Sequence, residues 1–189
     1  MAGELQSFTR RRRGPRVAAT RKRCTLGALT SRATTGFQPM PDPQPQFSRD
    51  EQVAFLNRML EAERAGANAL LNILEEHPRR SAVWMELRRM HAEEAHNCVL
   101  LGKQIQRLGA DYSHATGDFL GKLLAVEGPR QRVEFLAQGL RWAVKRFDEA
   151  LPRLDAEARA TVAGMRESHL HSIERCESVA KALPEGAGR

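Results

Sequence analysis

The sequence predicts an all-α protein, an antiparallel four-helix bundle with one long crossover between its second and third helices. Three observations carry this. Only 5% of residues are aromatic, and Leu, Ala, Arg and Glu dominate, a composition that favours helix over sheet. Apolar residues recur in steps of three and four over four long segments, the spacing of one helix face. The connections between those segments run short, long, short, which gives two antiparallel pairs joined by a crossover. The 189 residues suit one domain, read as 48–184 between a basic, Pro-rich tail at 1–47 and a short end at 185–189.

The first helix opens on Ser48-Arg49-Asp50-Glu51, a capping box in which serine and glutamate satisfy each other's free N–H groups. Its stripe reads Val53, Leu56, Leu60, Glu63, Ala67, Leu70 and Leu74, and it breaks at His77-Pro78. Glu63 occupies a core position. An uncompensated carboxylate there is expensive, so it calls for a cation, a hydrogen-bond partner or a raised pKa.

A second helix spans about 82–108, closed by Gly109. Val83, Leu87, Met90, Leu101, Ile105 and Leu108 share one face, and Glu94 lies at its centre. The string Glu93-x-x-His96 has the spacing of a bundle metal motif, but centring Glu93 would drag Glu86, Arg89 and Gln104 inward, and His96 points further out still. The register chosen by the apolar residues is Glu94-x-x-Asn97, with His91 one turn before it and Cys98 one turn after. About twenty residues follow, holding a short helix in "GDFLGKLLAVEG".

The third helix starts at Pro129, a residue suited to the first turn, and ends near Leu151-Pro152. Its inner face, Val133, Leu136, Leu140, Val144, Phe147 and Leu151, has no polar member. The fourth is capped by Asp155 and turns inward Ala158, Val162, Met165, His169, Ile173, Cys176, Ala180 and Leu183, with His171 nearly opposite. Glu63, Glu94 and His169 each lie 12 to 14 residues from the ends of their helices. At about 1.5 Å rise per residue, matched antiparallel helices bring them into one layer.

Residues 49–183 resemble the ferritin-like superfamily, which includes bacterioferritin and rubrerythrin. The segment "LNRMLEAERAGANALL" is similar to the first helix of those proteins, with Glu63 at the position of its metal ligand, and Glu94 matches the acidic member of the second-helix Glu-x-x-His. The resemblance implies iron or manganese chemistry with oxygen or peroxide. The sequence departs from the pattern at Asn97, where a histidine is expected, at Leu140, where a glutamate is expected, and in the fourth helix, where His169 is followed by Ser172 without a paired inward glutamate.

The expected site is therefore mononuclear, built from Glu63, Glu94, His169 and His91, two carboxylates and one or two imidazoles that suit Fe, Mn or Zn. An alternative from another class is a non-catalytic bundle whose buried polar network holds no metal and which acts through a protein partner or as a dimer. Whether the chain is an enzyme is left open between them. No phosphate-cradling glycine loop, nucleophile elbow or zinc-finger spacing competes.

Charge and cysteines narrow the context. Of the 30 Lys and Arg and 23 Asp and Glu, nine and two fall in residues 1–48, leaving 21 of each in the helical part. The net charge of +7 thus belongs to the tail. Nucleic acid would be a partner only through that segment, which also reads as a transit-like stretch rich in Arg, Ser and Thr, or as untranslated sequence upstream of a start at Met40. Cys24, Cys98 and Cys176 are odd in number and widely spaced, so no disulfide framework is expected and the cytoplasm is the expected compartment. No apolar run is long enough for a membrane span, and a homodimer is the partnership the reading allows.

Overall fold

Three of the four long helices begin at side-chain caps that their own sequences supply. In the computed structural model, which describes residues 45–184, α1 (Arg49–Glu75) starts from Ser48. The Ser48 side chain accepts the Glu51 N–H, and the Glu51 carboxylate accepts the Ser48 N–H at 2.8 Å. α2 (Ala82–Arg107) starts from Ser81, which accepts the Trp84 N–H. It ends in a Schellman turn, in which Gly109 at φ 67° donates to the Gln106 carbonyl and Ala110 donates to that of Ile105. Glycine takes this left-handed step at least cost.

The crossover carries the short α3 (Phe119–Leu124), and Gly128, at φ 84°, turns the chain into Pro129 at the head of α4 (Pro129–Ala150). A 3-10 turn, Leu151–Arg153, then leads to α5 (Ala156–Ala182), whose cap Asp155 accepts the Ala158 N–H at 2.9 Å. The expected helices are all present, with ends within a residue or two of those read from the sequence.

Contacts are densest within the hairpins α1–α2 and α4–α5, while α2 packs on α5 and α1 touches α3 and α4. Arg49 closes the first hairpin by donating to the carbonyls of Leu108 at 2.8 Å and Gly109 at 2.9 Å. Because α1 meets three helices, its buried face is wider than the expected stripe. Gln52, Met59, Ala65, Gly66, Ala69 and Ile73 are buried as well, while Val53 and Ala67 are half-buried.

The interior has two apolar layers. One contains Leu70, Ile73, Leu87, Met90, Leu136 and Cys176, the other Leu56, Leu60, Leu101, Ile105, Phe147 and Val162. Burying each large side chain contributes about 1.5–3 kcal/mol relative to exposure. Glu63, Glu94, Asn97 and His169 lie between the layers. No described helix is long and apolar enough to cross a membrane. Residues 1–44 of the expected tail, with its nucleic-acid and transit readings and the Met40 start, and the 185–189 end lie outside the described residues, while Phe47, placed in that tail, donates to the Arg153 carbonyl at 2.8 Å and stacks on Phe55.

Candidate metal centre

The mid-bundle layer brings together three of the four residues expected to converge. Glu63 from α1, Glu94 from α2 and His169 from α5 each offer one donor atom, all within 4.8 Å of one another. Their exposures are 2%, 5% and 3%. His169 Nε2 stands 3.2 Å from Glu63 Oε1 and 3.8 Å from Glu94 Oε1. Asn97 Nδ2 donates to Glu63 Oε2 at 2.9 Å, leaving Oε1 directed at the histidine.

The histidine's orientation is fixed from behind. Its Nδ1 lies 3.1 Å from the Met165 carbonyl, one turn earlier on α5, and Phe147 meets the ring edge-on at a centroid distance of 5.3 Å. A carbonyl only accepts, so Nδ1 carries a proton. A neutral ring would then turn a bare Nε2 lone pair toward Glu63 Oε1. Two acceptors do not rest against each other in a dry interior, so a cation belongs between them, either a proton or a metal ion.

Gly66 makes room for Glu94. A Cβ at that position would lie 2.6 Å from Glu94 Oε2, so any larger residue would push the carboxylate aside. Burial, the Glu63 charge, a hydrogen bond with Glu63 and the nearby Glu93 hold the Glu94 carboxyl well above the ordinary carboxylate range. Burial opposes charge on His169, but Glu63 and the hydrogen bonds to Glu63 and Met165 outweigh it and raise the ring's pKa. With no metal, a proton in the gap between His169 Nε2 and Glu63 Oε1 joins the two groups.

The donor set fits a metal ion. Two carboxylates and an imidazole bonded through its other nitrogen to a carbonyl match the usual ligand chemistry and its supporting shell. Ligand bonds of about 2.0–2.2 Å place neighbouring donors about 3–3.5 Å apart, close to the His169–Glu63 separation. Asn97, read from the sequence as a missing histidine, is a clamp on Glu63 instead.

The fourth expected residue, His91, falls outside the group. His91 is half-buried, with Nδ1 3.2 Å from Arg88 Nη1. Met90, four residues before Glu94, takes the inward place, and the next residue rotates away by about 100°. Partial burial first and the Arg88 charge second lower the pKa of His91. Glu93 is at the border of α2, where it accepts from Ser172 at 2.9 Å and, through both of its oxygens, from Arg175 Nη1 at 2.7 and 2.8 Å. His96 and His171 are exposed. Cys98 is half-buried, its thiol pushed up to about 12 by burial and by the charges of Glu63 and Glu94. Cys176 is buried 3.6 Å from the Met90 sulfur.

A cavity of about 510 Å³ leads from the protein surface to the cluster, with Glu63, Glu94 and His169 at its floor. α4 supplies Leu136, Leu140 and Ala143 to its wall, and α3 lies at its mouth through Phe119 and Lys122. Sequence reasoning did not foresee this opening; the small residues Gly66, Gly139 and Ala143 were its only sign.

An all-helical bundle with a long crossover and a polar mid-layer is a ferritin-like fold. A solved two-domain protein from Anabaena variabilis, containing DJ-1/ThiJ/PfpI-like and ferritin-like domains, superimposes with a TM-score of 0.59 at 14% identity, covering 76% of this chain and 41% of that one. The chain thus spans less than half the length of that protein, and the likeness concerns fold alone. The sequence profile described as Domain of unknown function (DUF6306) matches residues 50–178, and the chain belongs to that family. No curated protein is significantly similar to it.

Proposed function

We propose that the protein is a ferritin-like metal-binding protein with a mononuclear centre formed by Glu63, Glu94 and His169. The observation that carries this is the pairing of His169 Nε2 with Glu63 Oε1 at 3.2 Å, an arrangement that requires a cation, beside a second buried carboxylate. Iron or manganese bound there would supply redox chemistry with oxygen or peroxide, and zinc would supply Lewis acidity.

The chain's own residues have separable tasks. Asn97 holds Glu63 so that one oxygen stays free, and the Met165 carbonyl keeps the proton of His169 on Nδ1 and its Nε2 inward. Protons compete with a metal for the carboxylates and for His169 Nε2, so affinity falls as the pH falls. The two apolar layers flank the cluster, and the cavity leaves an approach from the side of α4, which contributes no donor.

Elemental analysis of protein purified without chelator tests this reading. About one equivalent of Fe, Mn or Zn per chain is expected, with loss of that metal in Glu63→Ala and His169→Ala. Traces of metal unchanged in both variants would rule the centre out.

A second reading, a metal-free bundle acting through a protein partner or a second copy, draws on one fact. The network closes on itself, since Asn97, Glu63, His169 and Met165 satisfy one another when a proton fills the gap. A melting temperature insensitive to chelation and to added metal would favour it.

A further inference from the structure

We propose, on the reading of the cluster as a metal centre, that the cavity above it takes an uncharged, mainly apolar organic co-substrate whose single polar end reaches Glu63, Glu94 and His169. Size is the first argument. A water molecule occupies about 30 Å³ of liquid, and dioxygen is of similar scale, whereas the cavity measures about 510 Å³, inside the roughly 300–1,000 Å³ range of pockets that hold organic ligands.

The lining gives the second argument. Leu136, Leu140 and Ala143 form the α4 side, and Phe119 stacks on Phe135 with ring centroids 5.1 Å apart. That pair is seated by Gly139, where a Cβ would stand 2.8 Å from the Phe119 ring. Trp142, 44% exposed, lies on the same wall, a residue suited to the border between apolar and wet surroundings. The buried polar groups of the lining are those of the floor, while Arg58, Glu61, Asp118, Lys122 and Gln138 are exposed or half-buried.

Charge gives the third. The lining cations Arg58 and Lys122 are balanced by Glu61 and Asp118, and Lys122 is already paired with Asp118 at 2.9 Å. The floor adds two carboxyls and one imidazole. The wall charges therefore cancel, and a hydroxyl end has both donors and acceptors to meet at the cluster.

The n-alcohols from butanol to decanol are direct probes, followed by calorimetry on the full chain and by the fluorescence of Trp142 in a Trp84→Phe variant. Affinity should rise about three- to fourfold per methylene and level off once the cavity is full. Ala62→Phe and, separately, Leu140→Phe, each verified as folded by its melting curve, should weaken octanol binding at least tenfold. Octanoate should bind more weakly than octanol. Equal affinity across the series, tighter octanoate, or unchanged binding in both folded variants would overturn the proposal. Elemental analysis of the same samples separates the two readings: metal-loaded protein that ignores alcohols sinks the co-substrate alone, and metal-free protein that binds them sinks the centre and the co-substrate role while leaving a ligand cavity.

Discussion

The two hairpins contribute unequally to the layer they share. α1 and α2 supply both carboxylates, the Asn97 clamp and the Gly66 clearing, whereas α4 and α5 supply one imidazole, its carbonyl support and an apolar wall. Oxygen donors gather on one side and an approach opens on the other. The difference teaches that donors from three helices can converge while the fourth, α4, with Leu140 on its inner face, lines the cavity instead.

The largest test of this asymmetry is Phe147→Ala. Phe147 is fully buried in an apolar layer and forms a T-shaped pair with His169, the ring planes at 78°, so truncation should cost about 3–5 kcal/mol in chemical denaturation. A loss below about 1 kcal/mol would show that the second hairpin does not brace the ring. Glu63→Ala probes the first hairpin. It strands His169 and Asn97 in a dry layer and should cost about 3 kcal/mol without metal, measured by urea unfolding in chelator.

Gly66→Ala sharpens the comparison because it separates stability from metal binding. The added methyl displaces the Glu94 carboxylate, and metal affinity should drop about tenfold, while the better helix propensity of alanine offsets part of the packing strain. Competition against a chromophoric chelator reads the affinity, and an unchanged value would remove Gly66 from the site.

Asp155 lies outside the layer but joins the hairpins, accepting from Gln52 at 2.6 Å, Arg107 at 2.7 Å and the Ala158 N–H. Partial burial opposes its charge, yet these bonds outweigh it and lower the carboxyl to about 2. Its folded pKa is below its unfolded value of about 3.9, so its contribution is complete above that value and is lost as the pH falls toward 2. Asp155→Ala should cost about 1 kcal/mol near pH 7 and almost nothing near pH 2. An equal cost at both pH values would mean that the cap works without its charge.

Much of the fold was legible because its signals are local. Ser48, Pro129 and Asp155 mark helix starts through their own backbone chemistry, and the apolar period chose Glu94 over Glu93 without any tertiary information. The convergence of Glu63, Glu94 and His169 followed from helix length alone. What could not be read depends on neighbours distant in sequence. Asn97 became a donor only because Glu63 is 34 positions away on the facing helix. His91 lies one position from Met90, the residue that takes the inward place, and a spacing argument could not show that the ring would turn to Arg88. The cavity is absent volume, which no residue type announces.

The most direct test is anomalous diffraction from crystals of the full chain soaked separately in manganese, iron and zinc. The account predicts a single mid-bundle peak within bonding distance of His169 Nε2 and the carboxylates of Glu63 and Glu94. An empty layer in every soak, with metal found only on surface residues, would contradict it.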